Sequence, residues 1–382
     1  MKRLQFGTKK CMKLHVGKTC DQNLCKDLAV DGWKLDVKED TETGNCVQVE
    51  TFGGKETMEL KKEQVYLGDV ISDDGKHEKN VQARKNKSLG IITQIIQILE
   101  STYFGKYYFE VALVLRSSLL LSSLLLNSEA WVNLTEKDIR ALEKTDEILL
   151  SKIMDCDGNT SNVFKYLELG IIPVRFEIMK RTILFLHYLL QQDKTSMVHK
   201  VLQVTLQNPI KNDFGETCKK YMKSLELNIP IEEFGKLSKW KAKTLLRKKT
   251  SKAALKYLLE EKEKQIKLAS LEYDKLEIQE YLVQENRNTE VSKIIFKARS
   301  LTLDIKLHKK WKYHDKICMG CGVKEENGDE LLHCEGFGDG KTDFQQISYS
   351  VVFNGSASEM ADIGQELRKR LKIRKKIAEG QN

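Results

Sequence analysis

Proline occurs only three times in this chain of 382 residues, at Pro173, Pro209 and Pro230. A proline inside a helix costs about 3 kcal/mol, so its absence from long stretches leaves helices free to run. The intervening sequence is rich in Leu, Ile, Lys and Glu, which favour helix, and the chain is expected to be mainly α.

The spacing of apolar residues carries that expectation along most of the chain. From about residue 77, "KNVQARKNKSLGIITQIIQILES" places Val81, Leu89, Ile92, Ile95, Ile96 and Leu99 mostly at helical intervals. A second helix is predicted over 106–127. A third begins near "LTEKDIRALEKTDEILLSKIM", with Thr135 as cap and Asp138 as its partner three residues on. Pro173 suits the first turn of "PVRFEIMKRTILFLHYLL". Further helices are predicted over 212–226, 236–262, 268–284 and 288–303, the last capped by Asn288 or Thr289.

The ends differ. Residues 1 to about 76 hold short runs such as "MKLHVGK", "CVQVETFGGK" and "EQVYLGDVISDDGK", bounded by Gly, Asp and Asn, and predict a small antiparallel β portion. After residue 335, "QQISYSVVF" reads as a strand and 359–377 as a last, basic helix. The fold class is therefore mainly α with a small N-terminal β element, in four regions: 1–76, 77–230, 231–310 and 311–382.

The formal net charge is +9. An even spread of charge would mean only a basic protein, whereas clustering points to a polyanion. The charge is clustered in "KLSKWKAKTLLRKKTSK" and "ELRKRLKIRKK". In the first, Lys239, Lys243 and Arg247 fall on one helical stripe with Trp240 beside it. Cations can track phosphates and the indole can stack on a base. In the second, Arg368, Arg370 and Arg374 lead a run that also holds Lys369, Lys372, Lys375 and Lys376. A solvated charged face is the ordinary alternative for both.

No signal peptide is legible at the N-terminus. The most apolar run, "VALVLRSSLLLSSLLLNS", contains Arg116 and several serines, and its uninterrupted apolar pieces fall short of the about 20 residues a span needs. An intracellular protein, nuclear or cytoplasmic, with no membrane contact is expected. Its cysteines should then be reduced, and thiols or metal ligands are favoured over disulfides.

"CMGCGVKEENGDELLHC" concentrates those cysteines. Cys318 and Cys321 sit two residues apart on a turn eased by Gly320 and Gly322, the usual way to present two sulfurs to tetrahedral zinc. Cys334 is the third donor. The fourth is His333 or Glu330, with His314 as an outside candidate. Histidine is the commoner zinc ligand and His333 heads the set, although adjacent residues rarely both face one metal. Free thiols in a surface hairpin are the alternative.

Other motifs do not hold. "EGFGDGKT" has Glu335 where a phosphate loop needs glycine. "DCDGNTSN" has Thr160 and Tyr166 where a calcium loop needs Gly and Glu. Asp73-Asp74 reads as a polar hairpin tip. His15, His77, His187, His199 and His308 have no evident catalytic partners.

Several phrases, taken in order, resemble the reverse transcriptases of non-long-terminal-repeat (LINE-type) retrotransposons. They are "LQFGTKKCMKLHVG", "VYLGDVISDDGKHEKNVQAR", "LVLRSSLLLSSLLLNSEAW", "LEKTDEILL", "YLELGIIPVRFEIMKRTILFLHYLL" and the "CMGC…HC" ending. The resemblance implies that 1–76 is the last part of a polymerase palm, with Tyr66, Leu67 and Gly68 on its primer-grip strands. It implies a thumb-like helical bundle over 77–230, a basic helical region over 231–310 and a zinc knuckle with a basic helix over 311–382. RNA, DNA or an RNA–DNA hybrid is the partner it implies, and zinc the resident metal.

Two departures bear on activity. The family's aromatic-x-Asp-Asp motif, which holds catalytic magnesium in a complete polymerase, falls upstream of the matched phrases, so polymerisation by this chain alone is not expected. The family's knuckle has His where this chain has Glu330. Two other readings stay open: part of a split or longer active reverse transcriptase, and a helical interaction protein with a structural zinc hairpin.

Overall fold

The computed structural model describes residues 46–51, 54–59, 63–66, 69–72, 76–283, 288–338 and 348–380. The chain divides into two compact units, residues 1–86 with 131–141, and 87–130 with 142–382.

In the first unit, β1 (Cys46–Thr51) pairs antiparallel with β2 (Gly54–Glu59), and β3 (Glu63–Tyr66) with β4 (Asp69–Ser72). The register Val65↔Val70 and Tyr66↔Asp69 defines a tight hairpin. The first turns of α1 (Glu78–Ser101) fasten to it. The Asn80 side chain accepts the Val70 N–H at 3.3 Å, and buried Arg84 donates to Asp69 at 2.6 Å. The expected strand "MKLHVGK" and the Asp73-Asp74 tip lie outside the described residues.

In the second unit the helices follow in order. A 3₁₀ turn (Gly105–Tyr107) leads into α2 (Tyr108–Leu115), a π-helical turn (Arg116–Leu120) and α3 (Leu121–Leu124). Next come α4 (Glu136–Met154), whose first residues belong to the other unit, α5 (Asn162–Leu169) and α6 (Val174–Leu190). Then follow α7 (Met197–Gln207), α8 (Phe214–Ser224), α9 (Ile231–Lys236) and α10 (Lys239–Glu263). The series closes with α11 (Glu280–Val283), α12 (Thr289–Arg299), α13 (Gly328–His333), α14 (Val351–Asn354) and α15 (Ala357–Ala378). The protein is mainly helical, and most boundaries fall within a few residues of the sequence expectation. The Thr135–Asp138 capping box forms reciprocally, and Asn288 caps α12 by accepting the Glu290 N–H.

One hydrophobic core joins α1, α2, α4, α5 and α10 to the helices from α11 onward. Ile95 and Leu99 of α1, Phe109 of α2, Leu150 of α4, Phe164 of α5 and Leu258 of α10 contribute to it. So do Phe296 of α12, Leu331 and Leu332 of α13, and Leu367 of α15. The cysteine-bearing segment is thus built on the core.

Three predicted elements differ. The single helix expected over 106–127 is interrupted by the π turn at Arg116. That residue is buried and donates twice to Asp146, at 2.7 Å each, while Tyr166 donates to the same carboxylate at 3.0 Å. Ser117 and Ser118 bond back to the Val114 carbonyl, a competition that loosens helical pairing. By length and averaged composition, Gly105–Leu124 is apolar enough to cross a membrane, although its unbroken apolar pieces are short.

Of the helix expected over 268–284, residues 269–279 form turns and bends, with only α11 near its end, and residue 284 lies outside the described residues. Tertiary contacts override local preference there. The Tyr273 and Tyr281 hydroxyls both donate to the buried Glu168 carboxylate, Arg299 donates to it from another side, and Gln279 N–H bonds the Glu168 carbonyl at 3.0 Å. The expected strand over 345–353 contains the helical turn α14 instead, while 345–347 lie outside the described residues. Tyr349 anchors that turn by donating to the Ala298 carbonyl at 3.2 Å.

Candidate metal centre

A short antiparallel bridge, Ile317↔Glu325, closes the cysteine turn. Within it the Cys318 N–H donates to the Lys324 carbonyl at 2.7 Å and the Gly322 N–H to the Cys318 carbonyl at 2.9 Å. The Gly320 N–H points at the Cys318 sulfur, 3.4 Å away. A side chain at Gly320 would place a carbon 2.8 Å from the Cys334 sulfur, so only glycine lets the turn close on it.

α13 supplies the other half. Asn327 caps it by accepting the Glu330 N–H at 2.7 Å, which fixes Glu330 in the first turn. Cys334 follows one turn later, its N–H bonded to the Glu330 carbonyl at 2.8 Å. One donor atom from each of Cys318, Cys321, Glu330 and Cys334 then lies within 4.8 Å of the other three. The Cys318 and Cys334 sulfurs are 3.6 Å apart, and Cys321 Sγ is 3.2 Å from Glu330 Oε1. Tetrahedral zinc with bonds of about 2.3 Å to sulfur and about 2.1 Å to oxygen separates its donors by about 3.6–3.8 Å. The cluster can hold a metal ion, and its spacing is compatible with zinc.

The thiols are not equivalent. Burial pushes the Cys334 thiol up to about 12, aided by its contact with Cys318, and burial also raises Cys318. The exposed Cys321 is held below the ordinary thiol value by the Lys324 and Val323 backbone N–H groups. A cation at the centre would offset the cost of ionising the two buried sulfurs.

α15 holds this centre from behind. Buried Arg370, steadied by Glu366 at 2.7 Å, donates to the Leu331 and Cys334 carbonyls at 3.3 and 3.0 Å. Arg374 donates to Glu326 at 2.7 Å, and Glu326 also accepts the Lys306 N–H at 3.0 Å and the Met319 N–H at 3.1 Å. Glu326 is fully buried and organises three chain segments. Sequence reasoning did not single it out. It looks like one more surface acid in "VKEENGDE", and nothing local marks it as buried.

Several expected site residues stand elsewhere. His333 is exposed and lies outside the four-donor cluster, and Glu330 occupies the fourth place. His333 immediately precedes Cys334, and adjacent helical positions stand about 100° apart, so the two do not both face one centre. His314 is also exposed and outside the cluster. Arg370 and Arg374 are not phosphate ligands in waiting: both are buried in the carbonyl and carboxylate contacts just described. Arg368 is partly exposed and paired with Glu290. The solvent face of α15 is made by Lys369, Lys372, Lys375 and Lys376.

On α10, Ala242, Leu246, Thr250, Ala254 and Leu258 recur every four residues as the buried line. Lys239, Lys243 and Arg247 recur at the same interval beside it and are exposed, and Trp240 is 72% exposed. Tyr66 lies in β3, while Leu67 and Gly68 lie outside the described residues.

No family model, no curated protein and no solved structure matches the chain.

Proposed function

We propose that the protein is a nucleic-acid-binding module from the C-terminal part of a retrotransposon-type reverse transcriptase. In that reading the helical unit is the thumb-like portion, and the Cys3Glu cluster holds zinc as a structural knuckle. The observation that carries it is the α10 surface, where Lys239, Lys243, Arg247 and the bare indole of Trp240 share one exposed face. None of these three cations forms an ion pair among the described residues, so their charge is available to phosphates. The ordered phrases that resemble the family support the same reading. It concerns binding to RNA, DNA or their hybrid, and polymerisation by this chain alone is not part of it.

The test is an anisotropy titration of single-stranded and hybrid oligonucleotides against salt. Each phosphate neutralised contributes about 0.7–0.9 to the slope of log affinity against log salt. Replacing Lys239, Lys243 and Arg247 together by Ala should lower that slope by about 2 or more. An unchanged slope, or no binding at low salt, defeats the proposal.

A second reading, a helical interaction protein, is favoured by α7. Met197, Val198, Val201 and Val204 stand 53–74% exposed along it, and α7 carries Lys200 but no acid. Retained metal with no nucleic-acid affinity would favour that reading.

A further inference from the structure

A cleft of about 1210 Å³ opens in the helical unit between the end of α1, the 3₁₀ turn before α2, the end of α4 and the start of α12. Its apolar wall is Ile96, Leu99 and Phe104. Tyr103 lines it and is 93% exposed, a free aromatic face.

Lys293 is the group that most needs explanation. Its ammonium lies 4.7 Å from the Tyr108 ring centre and donates to the Tyr108 hydroxyl at 3.3 Å. It forms no ion pair among the described residues, and burial holds its pKa below the ordinary lysine value. Lys152, exposed, lines the same cleft without an ion pair among the described residues. Three carboxylates also line it. Asp155 is engaged by Lys297 at 2.7 Å and Glu290 by Arg368, which leaves Glu100 facing the two lysines.

We propose that this cleft binds a single nucleotide unit, its terminal phosphate against Lys293 and Lys152 and its base against Tyr103. An anion supplies the direct ion pair that Lys293 does not form among the described residues, and two donor positions of its ammonium remain for phosphate oxygens. An aromatic body suits an exposed tyrosine face with an apolar wall beside it. The carboxylates decide the size of the ligand. A continuous phosphate backbone threaded through the cleft would meet Glu100, Asp155 and Glu290, whereas one terminal phosphate can sit against Lys293 and Lys152. The ligand is therefore a free nucleoside monophosphate or the 5′-phosphorylated end of a strand. This site is separate from the α10 surface.

The experiment uses the full chain and a 5′-phosphorylated tetranucleotide labelled at its 3′ end, followed by anisotropy at about 0.3 M salt to suppress backbone contacts. Competitors are AMP, the same oligonucleotide with a 5′-hydroxyl, and inorganic phosphate. AMP displacing the probe identifies the free nucleotide as a ligand. Displacement by the unlabelled 5′-phosphorylated strand but not by AMP identifies the strand end. Lys293→Met should weaken binding at least tenfold. Tyr103→Ala, at a position too exposed to affect folding, should weaken it about fivefold or more. The cleft is read from the difference in affinity between the 5′-phosphorylated and 5′-hydroxyl strands, to which the α10 stripe does not contribute, so failure here is distinguishable from failure of the α10 reading. No probe binding, equal competition by the 5′-hydroxyl strand or by phosphate, or wild-type affinity in both cleft variants overturns the proposal.

Discussion

The fourth ligand can be decided by replacing Glu330 and His333 separately. Four donors converge within 4.8 Å. At an effective dielectric of about 20, two unit charges at that separation repel by about 3.5 kcal/mol. Four bare anions there would be severely unfavourable, so the metal-free centre must keep protons on its buried sulfurs, as the raised Cys318 and Cys334 thiols imply. A divalent cation removes the repulsion and couples metal binding to folding. With zinc a thousandfold above its Kd, the folded state gains about 4.1 kcal/mol. At about 2–4 °C per kcal/mol, chelation should lower Tm by about 8–16 °C. Glu330→Gln keeps the shape but removes the charge, and a tenfold loss of affinity should take about 1.4 kcal/mol from that gain. His333→Ala should leave both metal content and the chelator shift unchanged. The assay is zinc quantitation together with thermal melts with and without chelator. Full zinc in Glu330→Gln, with loss in His333→Ala, would refute the geometry.

Four further outcomes follow from the helical unit. Glu168→Ala should destabilise by about 3–5 kcal/mol in denaturant unfolding, because it leaves buried Arg299 without its carboxylate; Tyr273→Phe, which deletes one bond to the same charge, should cost about 1.5–3 kcal/mol. Burial lowers His308 to about 4, so the folded state refuses a proton that the unfolded chain accepts near 6.5. Stability should therefore fall as pH drops from about 6.5 towards 4, and His308→Gln should flatten that part of the profile relative to wild type. Gly170 ends α5 at φ +64°, and a side-chain carbon there would lie 2.0 Å from the Glu277 backbone. Gly170→Ala should accordingly cost more than the about 1–2 kcal/mol of a left-handed residue alone, read as a lowered denaturant midpoint.

What the sequence made legible was whatever depends on neighbours along the chain. Helical periodicity, the Thr135–Asp138 box and the Cys318–Cys321 turn are local, and they stand close to where they were expected. The misses are long-range. Nothing near Tyr273 says that its hydroxyl will meet Glu168, more than a hundred residues away, and hold the segment out of a helix. Nothing near Arg116 announces Asp146. At the metal centre three donors were legible from cysteine spacing. The choice between Glu330 and His333 was not, because it depends on how α13 is rotated against the sulfurs. That rotation is set by the Asn327 cap and by Arg370 holding the end of the helix.

The basic helices show why a count of positive residues cannot stand in for a binding surface. Arginine and lysine divide the work on α15 by their chemistry. The planar guanidinium forks of Arg370 and Arg374 satisfy buried carbonyl and carboxylate oxygens in fixed geometry, a role a point-charge ammonium fills poorly. The lysines at 369, 372, 375 and 376 face solvent instead. On α10 the exposed line holds two lysines and a single arginine. A surface composed mostly of flexible ammonium groups follows phosphates without the forked donors that read base edges. Under the proposed nucleic-acid reading, contact through α10 would be governed by backbone charge, with Trp240 adding sequence-tolerant stacking. In that reading, selectivity among nucleic acids would come from strand form or strand ends, the kind of discrimination that the proposed cleft, separate from the basic stripe, would supply.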